Sequence, residues 1–280
     1  MNFDAGCSTV LAGALLVLAV CYARRVSHAG AFRNDRVDRA GGSPLLAKSA
    51  MEMGYWAMRP VARTFVAARV TANAVSWTSL VLAAGAGVAL GMGYFGVGAA
   101  FGAASSLCDA LDGMVARETG TASDSGEVLD ATIDRYAELL YLGGIAFCER
   151  PRPVATLLAL AAIAGAVMVS YSTAKAEALS VEPPRGVMRR QERAVYLILG
   201  AALVPPAALF VARVGLPPWL GHLPLYAALA LVGVVGNVSA VRRLWAVAEA
   251  VRVPQRRSAR DCAEALARDA HAAAGDASFR

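Results

Sequence analysis

Histidine appears three times in this chain and cysteine five times, and neither is interleaved with the acidic residues that stand out below. Cys7, Cys21, Cys108, Cys148 and Cys262 are odd in number, scattered and mostly set in apolar segments, which argues against a disulfide framework or a zinc site and leaves them as packing residues. Charge is scarce as well. Asp, Glu, Lys and Arg make up 17% of the chain against 57% apolar residues, a balance that fits a membrane protein better than a soluble domain. The net charge of +6 gathers in a few polar stretches, as basic loops do beside anionic lipid. No basic patch is interleaved with aromatics, so nucleic acid is not an expected partner.

The first apolar run, Ser8 to Tyr22, carries its charges, Arg24 and Arg25, after it rather than before it. A cleaved signal peptide has the reverse order, so the run reads as a membrane anchor whose C-terminal end faces the cytoplasm. It is short for a span of about 20 residues, which leaves a shallow or tilted anchor open. Residues 29–47 are polar and read as a loop. From Leu45 to Val70 apolar positions recur at helical spacing beside Lys48, Glu52, Arg59, Arg63 and Arg69, interrupted by Pro60. That pattern predicts an amphipathic helix on the membrane surface, with Tyr55 and Trp56 at the interface.

Six further apolar segments, about 74–93, 95–117, 127–147, 153–172, 194–213 and 222–241, each approach the length a bilayer requires. The second is dense in Gly, Ala and Ser, which lets neighbours approach closely and places it centrally. Pro205 and Pro206 predict a bend in the fifth, or a segment lying partly outside the bilayer. Charge asymmetry puts the acidic stretch, the loop 173–193 and the tail from Arg242 on the cytoplasmic side, with Arg150 and Arg152 as the exception. The expected class is all-α, a polytopic helix bundle of six core transmembrane helices with an extra N-terminal anchor and an amphipathic surface helix. The divisions fall at 1–25 (anchor), 26–70 (linker and surface helix), 71–247 (membrane domain) and 248–280 (polar tail).

At the ends of two of these segments, 95–117 and 127–147, stand four carboxylates that are costly to bury without compensation. Asp109 and Asp112 are three apart, Asp130 and Asp134 four apart, so on two helices each pair projects from one face. Four acids facing one another need cations between them, and an all-oxygen set favours Mg²⁺ or Mn²⁺, two ions of which would suit phosphoryl chemistry. Gly113 and Ala116 lie on the Asp112 side and leave room for a ligand, while Arg117 can pair with a phosphate. The bland reading is that the acids merely face water at helix ends. A divalent-metal carrier or channel is a third reading, which has no use for Gly113, Ala116 and Arg117 in register.

The arrangement Asp109, Asp112, Gly113, Ala116, Arg117, Gly126, Asp130, Asp134 resembles the signature of the CDP-alcohol phosphatidyltransferases, with no element missing. The resemblance implies an integral membrane enzyme, in a bacterial inner membrane with its site facing the cytoplasm. Such an enzyme transfers a phosphatidyl group from CDP-diacylglycerol to a small alcohol and releases CMP. It implies metal ligation by Asp109, Asp112, Asp130 and Asp134, with Asp134 as general base, and a homodimer formed through the spans. Thr71 to Ser76 resembles the segment that opens the first core span and helps hold the CDP-lipid, although Asn73 or Ser76 would serve equally as a helix cap. Ser123 stands where the family has a hydroxyl near the nucleotide, and Gly126 suits a turn or a close backbone approach.

Ser170 to Glu177 and Gly186 to Arg193 resemble two segments of the phosphatidylinositol-phosphate and archaetidylinositol-phosphate synthase branch. That resemblance implies inositol 1-phosphate as the acceptor, its phosphate held by Lys175, Arg190 and Arg193. Thr173 and Gln191 depart from the branch pattern, which keeps glycerol 3-phosphate, free inositol or another small alcohol as alternatives.

Overall fold

The computed structural model describes residues 2–32, 37–38, 45–182 and 186–277, with side chains from Phe3 to Arg252. They form α1 (Asn2–Ala29), α2 (Lys48–Ala67), α3 (Ala72–Gly91), α4 (Phe95–Glu118), α5 (Asp124–Cys148), α6 (Pro153–Ala178) and α7 (Arg190–Val214). A 3-10 turn (Pro218–His222) then leads into α8 (Leu223–Ala277). Much of the loop expected over 29–47 and the side chains of the tail, Cys262 included, lie outside the described residues.

Helices stand at all six expected core positions. Among the described residues, five helical segments are long and apolar enough to cross a membrane by length and composition: Phe3–Ala29, Ala72–Gly91, Pro153–Ala178, Arg190–Val214 and Pro218–Arg252. α4 and α5 fall short because they carry the acidic motif. The anchor differs from expectation. α1 has 28 residues, about 42 Å of helix against a hydrocarbon core of about 30 Å, so it is not short. The apolar run stops at Tyr22, but Arg24 and Arg25 are good helix formers and the helix continues through them. Likewise α2 runs through Pro60, and α7 through Pro205 and Pro206, as unbroken helices.

Two helix starts that position the site draw partners for their unpaired amides from identifiable side chains. Thr71 Oγ1 accepts from the Ala74 amide at 3.3 Å, so Thr71, rather than Asn73 or Ser76, caps α3. Tyr94 provides no cap for α4. The carboxylate of Asp4 on α1 does so instead, accepting from the Val97 amide at 2.9 Å. This ties the N-terminus of α1 to that of α4. At its other end α1 meets the surface helix α2, where the Tyr22 and Trp56 ring centroids are 5.6 Å apart.

α3 and α5 cross backbone to backbone: a β-carbon on Gly87 would lie 2.5 Å from the Leu140 carbonyl oxygen, and one on Gly144 would collide with the Gly87 carbonyl. Only glycine permits this approach, which fixes the register of α5 against α3. Leu90, Phe95, Leu142, Ile145, Leu197, Leu225 and Leu229 fill the main core, while Met58, Ala62, Val75 and Leu111 form a smaller cluster under α2. Large apolar side chains such as Val81, Leu157, Phe210 and Val234 remain on the outside, as a lipid-facing surface requires. The two arginines that disturbed the charge asymmetry are engaged locally, Arg152 with Glu149 at 2.8 Å and Arg150 above the Phe147 ring at 4.1 Å.

Candidate active site

The last turns of α4 and the first turns of α5 are held side by side by a five-residue turn. Thr119 closes α4 through its amide and hydroxyl to the Val115 carbonyl, at 2.9 and 2.8 Å. Gly120 reverses the chain at φ 66°, and Ser123 Oγ caps α5 by accepting from the Gly126 amide at 3.2 Å. A β-carbon on Gly126 would lie 3.3 Å from that hydroxyl oxygen, so the glycine keeps the cap free of crowding.

Helical spacing brings three of the four acids together. Asp109 and Asp112 of α4 and Asp130 of α5 present carboxylate oxygens within 4.8 Å of one another. Asp112 is almost fully enclosed and accepts from Ser76 Oγ of α3 at 2.5 Å. Asp134, one turn further along α5, adjoins Asp109 but stands outside this group of three. It faces Arg190, whose Nη1 lies 2.8 Å from Asp134 Oδ1 and 2.6 Å from Asp109 Oδ2. One arginine of α7 therefore bridges the acids of two other helices. The donor set is all carboxylate, with no nitrogen or sulfur among the three that converge, and this suits a hard divalent cation.

A cleft of about 700 Å³ opens from these acids. Its walls include Asn73, Ser76, Gly113, Ala116, Arg117, Ser123 and Gly126, together with Asp112 and Asp130. Thus every residue that resemblance associates with the CDP-lipid borders one cavity. Arg69, Thr71, Thr119 and Thr121 line it as well. Of these four, the sequence reading counted Arg69 only as one charge of the surface helix and gave Thr119 and Thr121 no part.

The three cations assigned to the acceptor are not brought together. Arg190 stands at the acids, and Lys175 is exposed on the last turn of α6, outside the cleft. Arg193 has no solvent exposure. Its Nε and Nη2 donate to the two carboxylate oxygens of Glu138 at 2.6 and 2.8 Å, and Nη1 donates to the Met188 carbonyl at 2.6 Å. The expectation that Arg193 meets the acceptor phosphate is corrected by this geometry, because its donors are engaged inside the fold. Glu192 secures the start of α7 by accepting from the Met188 and Arg189 amides at 2.6 and 3.2 Å. Ser239 and Arg243 of α8 both donate to the Val187 carbonyl, at 2.7 and 3.2 Å, and so hold the strand of chain that leads to Arg190. Glu138, Glu192 and Arg243 were missed as site supports. Their partners are distant in sequence or lie in a loop, and local spacing cannot assign them.

The chain is 32% identical over 201 residues to the phosphatidylinositol phosphate synthase of Cutibacterium acnes, covering 70% of this chain and 95% of that one. It is 34% identical over 148 residues to the archaetidylinositol phosphate synthase of Methanothermobacter thermautotrophicus, 51% of this chain and 74% of that one. The crystal structure of Mycobacterium tuberculosis phosphatidylinositol phosphate synthase with CDP-DAG bound superposes with a TM-score of 0.58 at 27% identity, over 67% of this chain and 92% of that one. The same enzyme in complex with manganese and citrate also has a TM-score of 0.58. Residues 69–235, which hold both the acids and the helices that orient them, match the family model described as CDP-alcohol phosphatidyltransferase. With the paired acids, their spacing and their cleft all present in that span, the chain belongs to the CDP-alcohol phosphatidyltransferase family.

Proposed function

We propose that this integral membrane transferase moves the phosphatidyl group of CDP-diacylglycerol onto a hydroxyl of inositol 1-phosphate and releases CMP. The observation that carries the reading is the meeting of Asp109, Asp112 and Asp130, two of which, Asp112 and Asp130, line the cleft bordered by Asn73, Ser76, Gly113, Ala116, Arg117, Ser123 and Gly126. Support for the substrates comes from the relatives named as phosphatidylinositol phosphate synthases and from the one solved with CDP-DAG.

Asp109, Asp112, Asp130 and Asp134 are the residues that would hold two divalent cations, Mg²⁺ or Mn²⁺, since four carboxylates carry more negative charge than one such ion neutralises. Bound there, the ions would screen the diphosphate and stabilise the negative charge of the departing CMP. The chain's own groups do the remainder. Arg117 pairs with phosphate oxygens, Asn73 and Ser123 supply polar contacts to the nucleotide, and Gly113 and Ala116 allow the diphosphate to approach α4. Asp134 accepts the proton of the acceptor hydroxyl. The freed oxygen bonds to the lipid-side phosphorus, the bond from that phosphorus to the CMP phosphate oxygen breaks, and CMP leaves. Arg190, set between Asp109 and Asp134, receives the acceptor's phosphate so that its hydroxyl lies beside Asp134. Lys175, exposed on the last turn of α6, is not part of the arrangement around Arg190. Arg193 contributes indirectly by fixing α7 to Glu138. The site faces the cytoplasm of a bacterial inner membrane, and the enzyme acts as a homodimer.

The test is release of CMP by purified protein in detergent with Mn²⁺ or Mg²⁺, with inositol 1-phosphate, free inositol and glycerol 3-phosphate offered separately. Release is expected with inositol 1-phosphate alone, is abolished by chelation, and falls on the order of 10²- to 10⁴-fold in Asp134→Asn, the usual range for loss of a general base. Release with a different acceptor would discard Arg190 as the ligand of the acceptor's phosphate. No release from folded protein with any acceptor would overturn the enzymatic reading in favour of a metal carrier.

A further inference from the structure

We infer that Arg69 binds the phosphate oxygens of the CDP-lipid diphosphate, an inference that rests on the cleft being the CDP-lipid site. α2 ends in a paired closure: the Arg69 amide donates to the Val66 carbonyl at 3.0 Å and the Val70 amide to the Phe65 carbonyl at 3.0 Å. This closure requires the residue after the helix cap to adopt the left-handed conformation, and Arg69 does so at φ 56°. Glycine is the residue that fills such a position without strain, since any β-carbon crowds the following carbonyl.

The local fold makes no use of the arginine side chain. The apolar contact that accompanies such closures comes from Val70 and Phe65, both packed on the cluster of Met58, Ala62, Val75 and Leu111. Arg69 itself is exposed and forms no ion pair among the described residues. Two other non-glycine residues in the described chain have positive φ, Ser180 and Met188. Met188 is fully buried, so its side chain has a packing role that Arg69 lacks.

What Arg69 does border is the cleft, with Arg117, Thr71 and Asn73. The wall also carries Asp112, Asp124, Glu127 and Asp130, so an anionic diphosphate entering there meets four carboxylates. Arg69 and Arg117 are the cations that line the same cavity. A guanidinium presents a flat fork of donors that engages two phosphate oxygens at once. A strained position kept by an exposed arginine, directed at the substrate cavity, points to binding rather than folding.

The experiment compares wild type, Arg69→Gly and Arg69→Lys for CMP release in neutral detergent, again with anionic phospholipid added, and for thermal melting. Arg69→Gly relieves the left-handed strain, so its melting midpoint is expected to be equal or higher, while KM for CDP-diacylglycerol rises about tenfold or more with kcat little changed. A charge-assisted contact is of that size, and one made equally in ground and transition states appears in KM. Arg69→Lys should fall between. An unchanged KM in Arg69→Gly would overturn the inference, as would a rise seen only with anionic phospholipid present, which would place Arg69 on a neighbouring headgroup. If wild type releases no CMP from CDP-diacylglycerol, it is the reading of the cleft that fails.

Discussion

The guanidinium of Arg193 and the carboxylate of Glu138 meet in a two-pronged ion pair, 2.6 and 2.8 Å, with Arg193 wholly enclosed between α5, α7 and the Met188 carbonyl. Removing one partner leaves the other charged and buried, which costs about 3–5 kcal/mol in comparable pairs. Arg193→Ala and Glu138→Ala are therefore each expected to lower the melting midpoint of the detergent-solubilised protein sharply. The double change to Arg193→Met with Glu138→Leu should recover much of that loss. Arg193→Ala that melts like wild type, yet loses only affinity for the acceptor phosphate, would return Arg193 to the pocket.

Ser76 tests whether α3 serves the carboxylates or the lipid. Its hydroxyl lies 2.5 Å from Asp112 Oδ2 and also 3.2 Å from the Ala72 carbonyl, and its single proton is best placed on the short contact to the carboxylate. A hydroxyl that orients a metal-binding carboxylate typically changes metal affinity 10- to 100-fold when lost. Ser76→Ala is expected to raise the half-saturating Mn²⁺ or Mg²⁺ concentration by about tenfold, with Ser76→Thr restoring it. A rise in KM for CDP-diacylglycerol at saturating metal, with no change in metal requirement, would make Ser76 a lipid contact instead.

The acids were legible in the sequence because their grouping depends on distances of three and four residues within helices, and helical periodicity converts such offsets directly into shared faces. Asp109 with Asp112 follows from α4 alone, and the approach of Asp130 follows once the turn from Thr119 to Ser123 returns the chain. Arg193 was not legible. Its position three after Arg190 gave its sign and its neighbourhood, but its partner Glu138 sits 55 residues earlier, and sequence offset carries no information at that range. Thr71 was overlooked as the cap of α3 because Thr71, Asn73 and Ser76 are all residues that cap helices, and only the backbone distinguishes which one precedes the first turn. The length of α1 was underestimated for a different reason: hydropathy reports affinity for lipid, whereas Arg24 and Arg25 extend the helix without extending its apolar run.

Glu149 governs the end of the bundle farthest from the acids, in the turn between α5 and α6. It is fully enclosed, and Arg152 Nη1, Tyr226 Oη and His222 Nδ1 each lie 2.8 Å from its oxygens. Burial pushes its pKa up, but the hydrogen bonds from His222, Tyr226 and Arg152 together outweigh burial and hold it below the ordinary value of 4.5. A carboxyl with a lower pKa folded than unfolded stabilises the fold above its unfolded value, and that contribution is lost as pH falls through the folded one. Wild type should therefore melt well above Glu149→Gln at neutral pH, and the gap should hold as pH falls toward 4.5 and close below it. A gap that stays constant down through that range would show that the protonation of Glu149 has no part in acid unfolding, and would leave packing of the turn as the reason for its burial.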